Sequence, residues 1–521
     1  MPVILSPTNK MTINKFHFGN TDARSEILNR DVKKKEFFIE SFYVPAKLRV
    51  DDFIEGNKYF IFGPKGTGKT ALLRYINEKL NPENNLTSFV VFKEEISEDD
   101  KICMFAKNVA LYDSPKHKET DLLNVWRCFL HREIVRLLEA NPTFYLSSTA
   151  AEYIRLVKAI HGQSDKGLFK AILEVLKAGK IGVRVAGVGG VDAQLDLRDP
   201  TFDAKLTTTE FIRRLDNELA NIKFKPNKRL YIFVDEINLA FSSTAQHERD
   251  SILIRDLIVA VAKSNEVFLQ KNLNIFVLAA IRSEILAAVD TAGREIGKPL
   301  RDFGHRLDWY VERDIDKHPI IELVESKLRT NLAILDPKSP RGAKARLWDR
   351  FFDKKIYKSD SRKFVVRNTW GRPRDIVNLL SNAAEHSPNK EKFDTYAFQN
   401  SFSSFSETCW KERAQELNVF YSGAEVDTIK RVLQGFKREF TLGELYARLE
   451  NTVPKDEVNA RLRVTDAATM LADKLYLVGV IGQKKQHGSR KIYWNHGGRH
   501  EFNPSYVASV HQALWAELHI A

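Results

Sequence analysis

The residues best suited to phosphate chemistry stand together at 63–70. Gly63-Pro64-Lys65-Gly66-Thr67-Gly68-Lys69-Thr70 fits G-x-x-x-x-G-K-[ST] with no mismatch. Three glycines let the backbone curl until its N–H groups point inward at phosphate oxygens. Lys69 is placed to reach β- and γ-phosphates, and the Thr70 hydroxyl to bind Mg²⁺. From Ala71 onward a helix is expected, whose free N–H groups and positive dipole end converge on the same spot. The alternative is a glycine-rich turn that binds nothing. Its context argues otherwise, since the aromatic and β-branched run Tyr59–Phe62 reads as a buried strand before it and Ala71–Ile76 as a helix after it.

A second cluster is the carboxylate pair Asp235-Glu236, directly after the apolar run Leu230–Val234. Such a run reads as a parallel strand covered on both faces. A pair of acids at its C-terminal tip falls in the ligand crevice of an open α/β sheet. Asp235 is expected to hold the Mg²⁺ shell through water, and Glu236 to polarise the attacking water as general base or orienter. Alone the pattern is weak; joined to the upstream glycine loop it becomes specific.

These residues need a sheet to hold them. Leu86–Lys93 reads as a second strand and Leu273–Ile281 as a further buried one, ending in Arg282-Ser283-Glu284. Arg282 or Ser283 at that strand end is placed to sense a γ-phosphate; a salt-bridged arginine at a helix start is the alternative. Arg301 and Arg306 are candidates for a finger reaching a neighbour's nucleotide, against the commoner role of pairing with surface carboxylates. In Trp370-Gly371-Arg372-Pro373-Arg374, Pro373 suits the first turn of a helix, which puts Arg374 where it can fold onto the γ-phosphate. The aromatic stretch Glu36–Val44 is either a wall for the nucleotide base or a structural collar.

Bulk properties bound the rest. The 521 residues exceed one ordinary core and imply two to four domains. Hydrophobic residues are 43% and charged residues 29%, a globular balance without a run of eighteen apolar residues, so no membrane span is expected. The first residues carry only a four-residue apolar patch and do not read as a secretory signal. Cys103, Cys128 and Cys409 are odd in number and far apart, which suits reduced thiols and a cytoplasmic location. The net charge of +13 favours a polyanionic partner. It is concentrated between Lys338 and Arg374, where thirteen Lys/Arg face three Asp, with Trp348, Phe351, Phe352, Tyr357 and Trp370 interleaved. That reads either as a nucleic-acid surface or as a solvated helix face over core aromatics.

The set GPKGTGKT, VDE, AAIRSE and GRPRDIVNLL resembles the AAA+ and STAND group of P-loop ATPases, nearest to archaeal origin-recognition initiators and to bacterial ATPases found near defence genes. The likeness spans roughly 40–400. It implies an α/β fold, a P-loop NTPase parallel-sheet core with a helical lid and a C-terminal winged helix. It also implies Mg·ATP as ligand, with Arg374 as the lid's sensor. No N/T-K-x-D pattern for guanine follows the third strand. The chain departs from the group in a long insertion over about 100–220 and in having no plain Asn or Thr at the first sensor position, which puts hexameric unfoldase or helicase activity in doubt.

The expected organisation is an N-terminal arm and helix (1–45, the first twenty residues loose), the ATPase core (46–312), a basic helical lid (313–420) and a winged-helix-like domain (421–521). Within the core insertion, 181–198 reads as a β-hairpin. In the last domain, helices are expected at 424–436, after Thr441 with Glu444 as capping box, and from Thr465, followed by a hairpin over 478–494 turning at His487-Gly488. The wing is basic, through Lys484, Lys485, His487, Arg490 and Lys491. The third helix carries Asp466 and Asp473 but no Arg, Asn or Gln for base edges, so sequence-specific reading of DNA is not expected. Two functions follow. One is an ATP-binding and hydrolysing switch that grips nucleic acid without reading it, with homo-oligomers possible. The other is a STAND-like regulator in phage defence whose winged helix holds a protein partner encoded elsewhere.

Overall fold

The computed structural model describes residues 11–28, 31–92, 122–161, 181–182, 205–206, 208–237, 244–289, 296–310, 315–335, 347–485, 491–497 and 501–520. Its centre is a five-stranded, wholly parallel sheet of β1 (Phe60–Gly63), β2 (Asn85–Val91), β5 (Arg229–Asp235), β6 (Ile275–Arg282) and β7 (Gly304–Arg306) in the order β2-β5-β6-β1-β7. The apolar runs that signalled strands are the inner strands: Tyr231, Ile232 and Phe233 of β5 are fully buried, as are Phe60 and Ile61 of β1. Helices cover both faces, which is why these strands lack polar alternation. Register pairs Gly63 with Arg282, so the glycine loop after β1 and the end of β6 open at the same edge.

The smaller pieces around the core differ from expectation in places. The strand β3 (Ile181–Gly182) pairs antiparallel with β4 (Lys205–Leu206), a partner beyond the expected hairpin. The remainder of that hairpin reading lies outside the described residues. Residues 11–20 are not loose. Ile13, Phe16 and Phe18 are buried, Phe16 meets Phe351 edge-on at 4.8 Å, and the His17 backbone exchanges hydrogen bonds with the Asn331 side chain. Three apolar side chains in six residues complete the lid's core, which a reading of this segment by itself does not reveal.

Helices Pro319–Leu335, Ser361–Asn368, Pro373–Glu385 and Thr395–Leu417 make up the region expected as a lid. A short hairpin, β8 (Lys355–Ile356) with β9 (Ser359–Asp360), lies on it. Trp348, Phe351, Phe352 and Trp370 are buried, with Trp348 stacked on Phe352 at 3.9 Å. Of the interleaved aromatics only Tyr357 is exposed. Four of the five therefore form core beneath a solvated basic face and are not stacking platforms for bases.

The C-terminal residues form helices Gly423–Leu433, Leu442–Thr452 and Ala467–Val478 with an antiparallel sheet β10-β12-β11, of β10 (Glu439–Phe440), β11 (Ile481–Lys484) and β12 (Val507–Val510). The Thr441–Glu444 capping box is formed. The expected 478–494 hairpin is present in its described part, where Gln483 and Tyr493 exchange backbone hydrogen bonds of 2.9 and 2.7 Å as an antiparallel bridge, and β11 also pairs along its length with β12, a partner not expected. Alternation in a short run such as 507–510 is too brief to stand out before tertiary pairing selects it. Residues 486–490, the expected turn, lie outside the described residues. Among the described residues no helix is long and apolar enough to cross a membrane.

Candidate functional site

The glycine loop takes the shape its composition allows. Gly66 and Gly68 sit at φ +82° and +92°, the left-handed region that L side chains rarely adopt. Gly68 caps the helix Lys69–Lys79. The loop is pinned from both sides, since the Thr67 hydroxyl donates to the Pro64 carbonyl at 2.9 Å and the Trp309 indole to the Thr67 carbonyl at 3.0 Å. Lys69 is folded under the curl and donates to the carbonyls of Gly63 and Pro64, both at 2.8 Å. Burial pushes its ammonium down to about 7, partly opposed by the carboxylate of Glu284.

Opposite stands the tip of β5. Asp235 Oδ1 accepts from the Thr70 hydroxyl at 3.2 Å and from the Glu236 backbone at 2.8 Å. Burial raises its carboxyl above the ordinary range, while these two donors draw it down. Glu236 has φ +53°, uncommon for a non-glycine residue and a form of strain that gathers at functional sites. The cavity between loop, strand tips and lid holds about 580 Å³ and is lined by Lys65 to Ala71, Asp235, Glu236, Arg282 and Arg374. Gly63 and Pro64 lie behind it and contribute the carbonyls that hold Lys69. Thr70 and Asp235 offer hard oxygen donors side by side. That suits Mg²⁺, which takes one or two protein oxygens and completes its shell from phosphates and water.

Arg374 is brought to the loop by the lid helix that Pro373 opens. Its backbone N–H donates to the Gly66 carbonyl at 3.2 Å, and its guanidinium to the Thr21 carbonyl and to Glu412, each at 3.0 Å. Arg282 lines the same cavity at the end of β6. Arg301 does not; it is exposed and 3.3 Å from Asp302. Arg306 faces a neighbouring cleft shared with Trp370, Arg372 and His496.

Sequence reading missed the part of the site built by the lid and the N-terminal segment. Glu412, Gln415 and Asn418 line the cavity at three-residue steps on one helix stripe, and Asn20 to Ala23, Glu26 and Lys327 close the far end. The three-residue spacing was visible in the sequence, yet it sits in a helix with polar residues on every side. The stretch 36–44 does reach the site: Phe38, Ser41, Phe42 and Tyr43 line it, and Phe42 also stacks on Tyr75 at 4.0 Å.

Behind the loop lies a buried charge network. The Arg372 guanidinium donates to the Lys65 carbonyl at 3.1 Å and to Glu416 at 3.0 Å. Glu416 also holds Arg413, at 3.0 Å. Arg413 in turn donates to the Val478 carbonyl of the last domain at 3.3 Å and lies over the Trp370 ring. Trp370 donates to the Gly479 carbonyl at 2.7 Å and stacks on His511. The phosphate loop is thus joined to the C-terminal domain through side chains that are almost wholly inaccessible to water.

Comparison with known proteins adds three findings. The FunZ-associated C-terminal helical domain matches residues 319–413, a stretch that includes Arg374 and Glu412 and is less than a fifth of the chain. The chromosomal replication initiator protein DnaA of Onion yellows phytoplasma (strain OY-M) is 20% identical over 242 residues, 46% of this chain and 43% of that protein. The chain therefore spans less than half the length of that relative. The transposon gamma-delta 80.3 kDa protein of Escherichia coli (strain K12) is 20% identical over 525 residues, 96% of this chain and 67% of that protein. A crystal structure of Cdc6p from Pyrobaculum aerophilum aligns over 96% of both chains at 10% identity with a TM-score of 0.32, too low to establish a shared fold. The five-stranded parallel sheet, with the glycine loop after β1 and Asp235 at the tip of β5, supports a P-loop NTPase core.

Proposed function

We propose that the chain is an ATP-binding and hydrolysing switch associated with nucleic acid. The observation that carries this is the meeting of Lys69, Thr70, Asp235, Glu236 and the lid's Arg374 on one cavity. In this reading the loop N–H groups and Lys69 hold the β- and γ-phosphates, and Thr70 and Asp235 hold Mg²⁺. The metal supplies neutralisation of phosphate charge. Glu236 orients or deprotonates the attacking water, and Arg374 takes charge on the γ-phosphate when the lid closes. The Arg372–Glu416–Arg413 network is suited to pass the state of the loop to the C-terminal domain.

Nucleic-acid association is supported by the net charge of +13 and by the relatives, one named a chromosomal replication initiator and the other a transposon protein. A winged-helix reading of the C-terminal domain is supported by its three helices and three-stranded sheet. One observation favours the second function, a regulator that docks a protein. Tyr446, Val458, Val464 and Met470 are exposed on the helices and loop where a DNA-reading surface needs polar groups.

The test is phosphate release by the purified chain with and without duplex DNA. Glu236→Gln is expected to bind Mg·ATP and stop turnover. DNA binding is expected to weaken steeply with salt, and no binding at low salt refutes the nucleic-acid part.

A further inference from the structure

Two glutamates one helical turn apart, Glu412 and Glu416 on Thr395–Leu417, each bridge Lys65 of the glycine loop to the Gly371–Arg374 segment. Glu416 does so indirectly and in the core, holding Arg372, which itself binds the Lys65 carbonyl. It also binds Arg413 and is 1% exposed. Glu412 does so directly and at the cavity: one oxygen, Oε2, lies 2.7 Å from Lys65 Nζ and 3.0 Å from the Arg374 guanidinium. Lys65 Nζ also donates to Gln415. Burial alone pushes the Glu412 carboxyl up, but Arg374 and Lys65 overcome it and hold the group ionised, at about 2.

We propose that Glu412 is a specificity-determining residue: a built-in counter-ion that a γ-phosphate must displace from Lys65 and Arg374, so that the site separates tri- from diphosphate by exchange of partners. The inference rests on the ATP-switch reading. Both cations line the cavity, and both already donate to a carboxylate of the same charge sign and acceptor character as a phosphate oxygen. A third phosphate reaches them only by taking that place. A diphosphate, held by the loop N–H groups and Lys69, leaves the Glu412 pairs intact. Glu416 has no such exchange open to it because both its partners are buried with it.

The experiment is calorimetric affinity for Mg·ATP and Mg·ADP, measured on the full chain and on Glu412→Gln. Removing the competing charge while keeping its size is expected to tighten Mg·ATP about tenfold and to leave Mg·ADP within about twofold. Weaker ATP binding, or equal shifts for both nucleotides, overturns the inference and makes Glu412 a structural strut. Binding of neither nucleotide by the unmodified chain overturns the switch reading itself. Should Glu412→Gln not fold, Glu412→Asp loosens both pairs by one methylene. It is expected to tighten ATP about threefold, and loss of ATP affinity again overturns the inference.

Discussion

Replacing Arg413 by Met tests how strongly the buried charge network behind the glycine loop is coupled within itself. Arg413 is 1% exposed, with Glu416 at 3.0 Å, Asp375 at 3.5 Å and the Val478 carbonyl at 3.3 Å. Met retains much of the aliphatic volume over Trp370 but removes the charge. Breaking one side of a buried ion pair typically costs about 3–5 kcal/mol, because the remaining charge is left uncompensated. Here Glu416 keeps Arg372 at 3.0 Å, so the lower end, about 3 kcal/mol, is expected. Asp375 loses more. Burial already raises its carboxyl to about 6, and Arg413 and Arg372 draw it down. Without Arg413 its folded pKa rises further above the unfolded value. The folded state then binds the extra proton, and that contribution is lost as pH rises through the folded pKa. The variant is therefore more destabilised at pH 8 than at pH 6. Urea unfolding followed by circular dichroism and tryptophan fluorescence measures this, taking the first transition because so long a chain need not unfold in two states. In the double variant with Glu416→Gln the losses fall short of additive by about 1 kcal/mol or more. A loss below about 1 kcal/mol, or strict additivity, refutes the coupling.

Gly66→Ala places a Cβ 3.2 Å from Arg374 Cβ at φ +82°, whereas Gly68→Ala meets nothing within 4 Å. Thermal melts should show Gly66→Ala the more destabilised, beyond the roughly 1–2 kcal/mol of left-handed strain common to both. Because Lys69 is pushed down to about 7, its proton is largely lost at pH 8, and a triphosphate raises its pKa again. Binding Mg·ATP should therefore take up close to one proton at pH 8 and few at pH 6, and affinity should fall as pH rises above about 7; calorimetry in buffers of different ionisation enthalpy reads this. Thr441→Ala removes one half of the capping box and should lower the stability of the C-terminal domain by about 1 kcal/mol, read by its own urea transition.

How much of this was legible in the sequence depended on whether local chemistry or tertiary contact decided the outcome. The phosphate loop and the strands β1, β5 and β6 were legible, because glycine φ, buried-strand runs and strand-tip carboxylates are local requirements. Pro373 announced the helix that carries Arg374 for the same reason. Glu412 was not legible: a glutamate in a polar helix acquires meaning only when the lid packs Lys65 against it, 347 positions away in the chain. Ile13, Phe16 and Phe18 read as a loose arm since their burial depends on the lid's helices. The lid aromatics were ambiguous in sequence because a core stripe and a stacking platform have the same composition, and only burial separates them. Likewise β12, four residues long, joins β11 beside the expected Gln483–Tyr493 bridge through pairing that no local pattern specifies.

The central claim is that the cavity under Lys69 takes a metal-bound triphosphate. Titration calorimetry of Mg·ATP into the full chain and into Lys69→Ala tests it most directly. The account predicts saturable one-to-one binding by the unmodified chain and its loss in Lys69→Ala, with the fold retained by circular dichroism. No heat from the unmodified chain, or equal binding by both proteins, contradicts it.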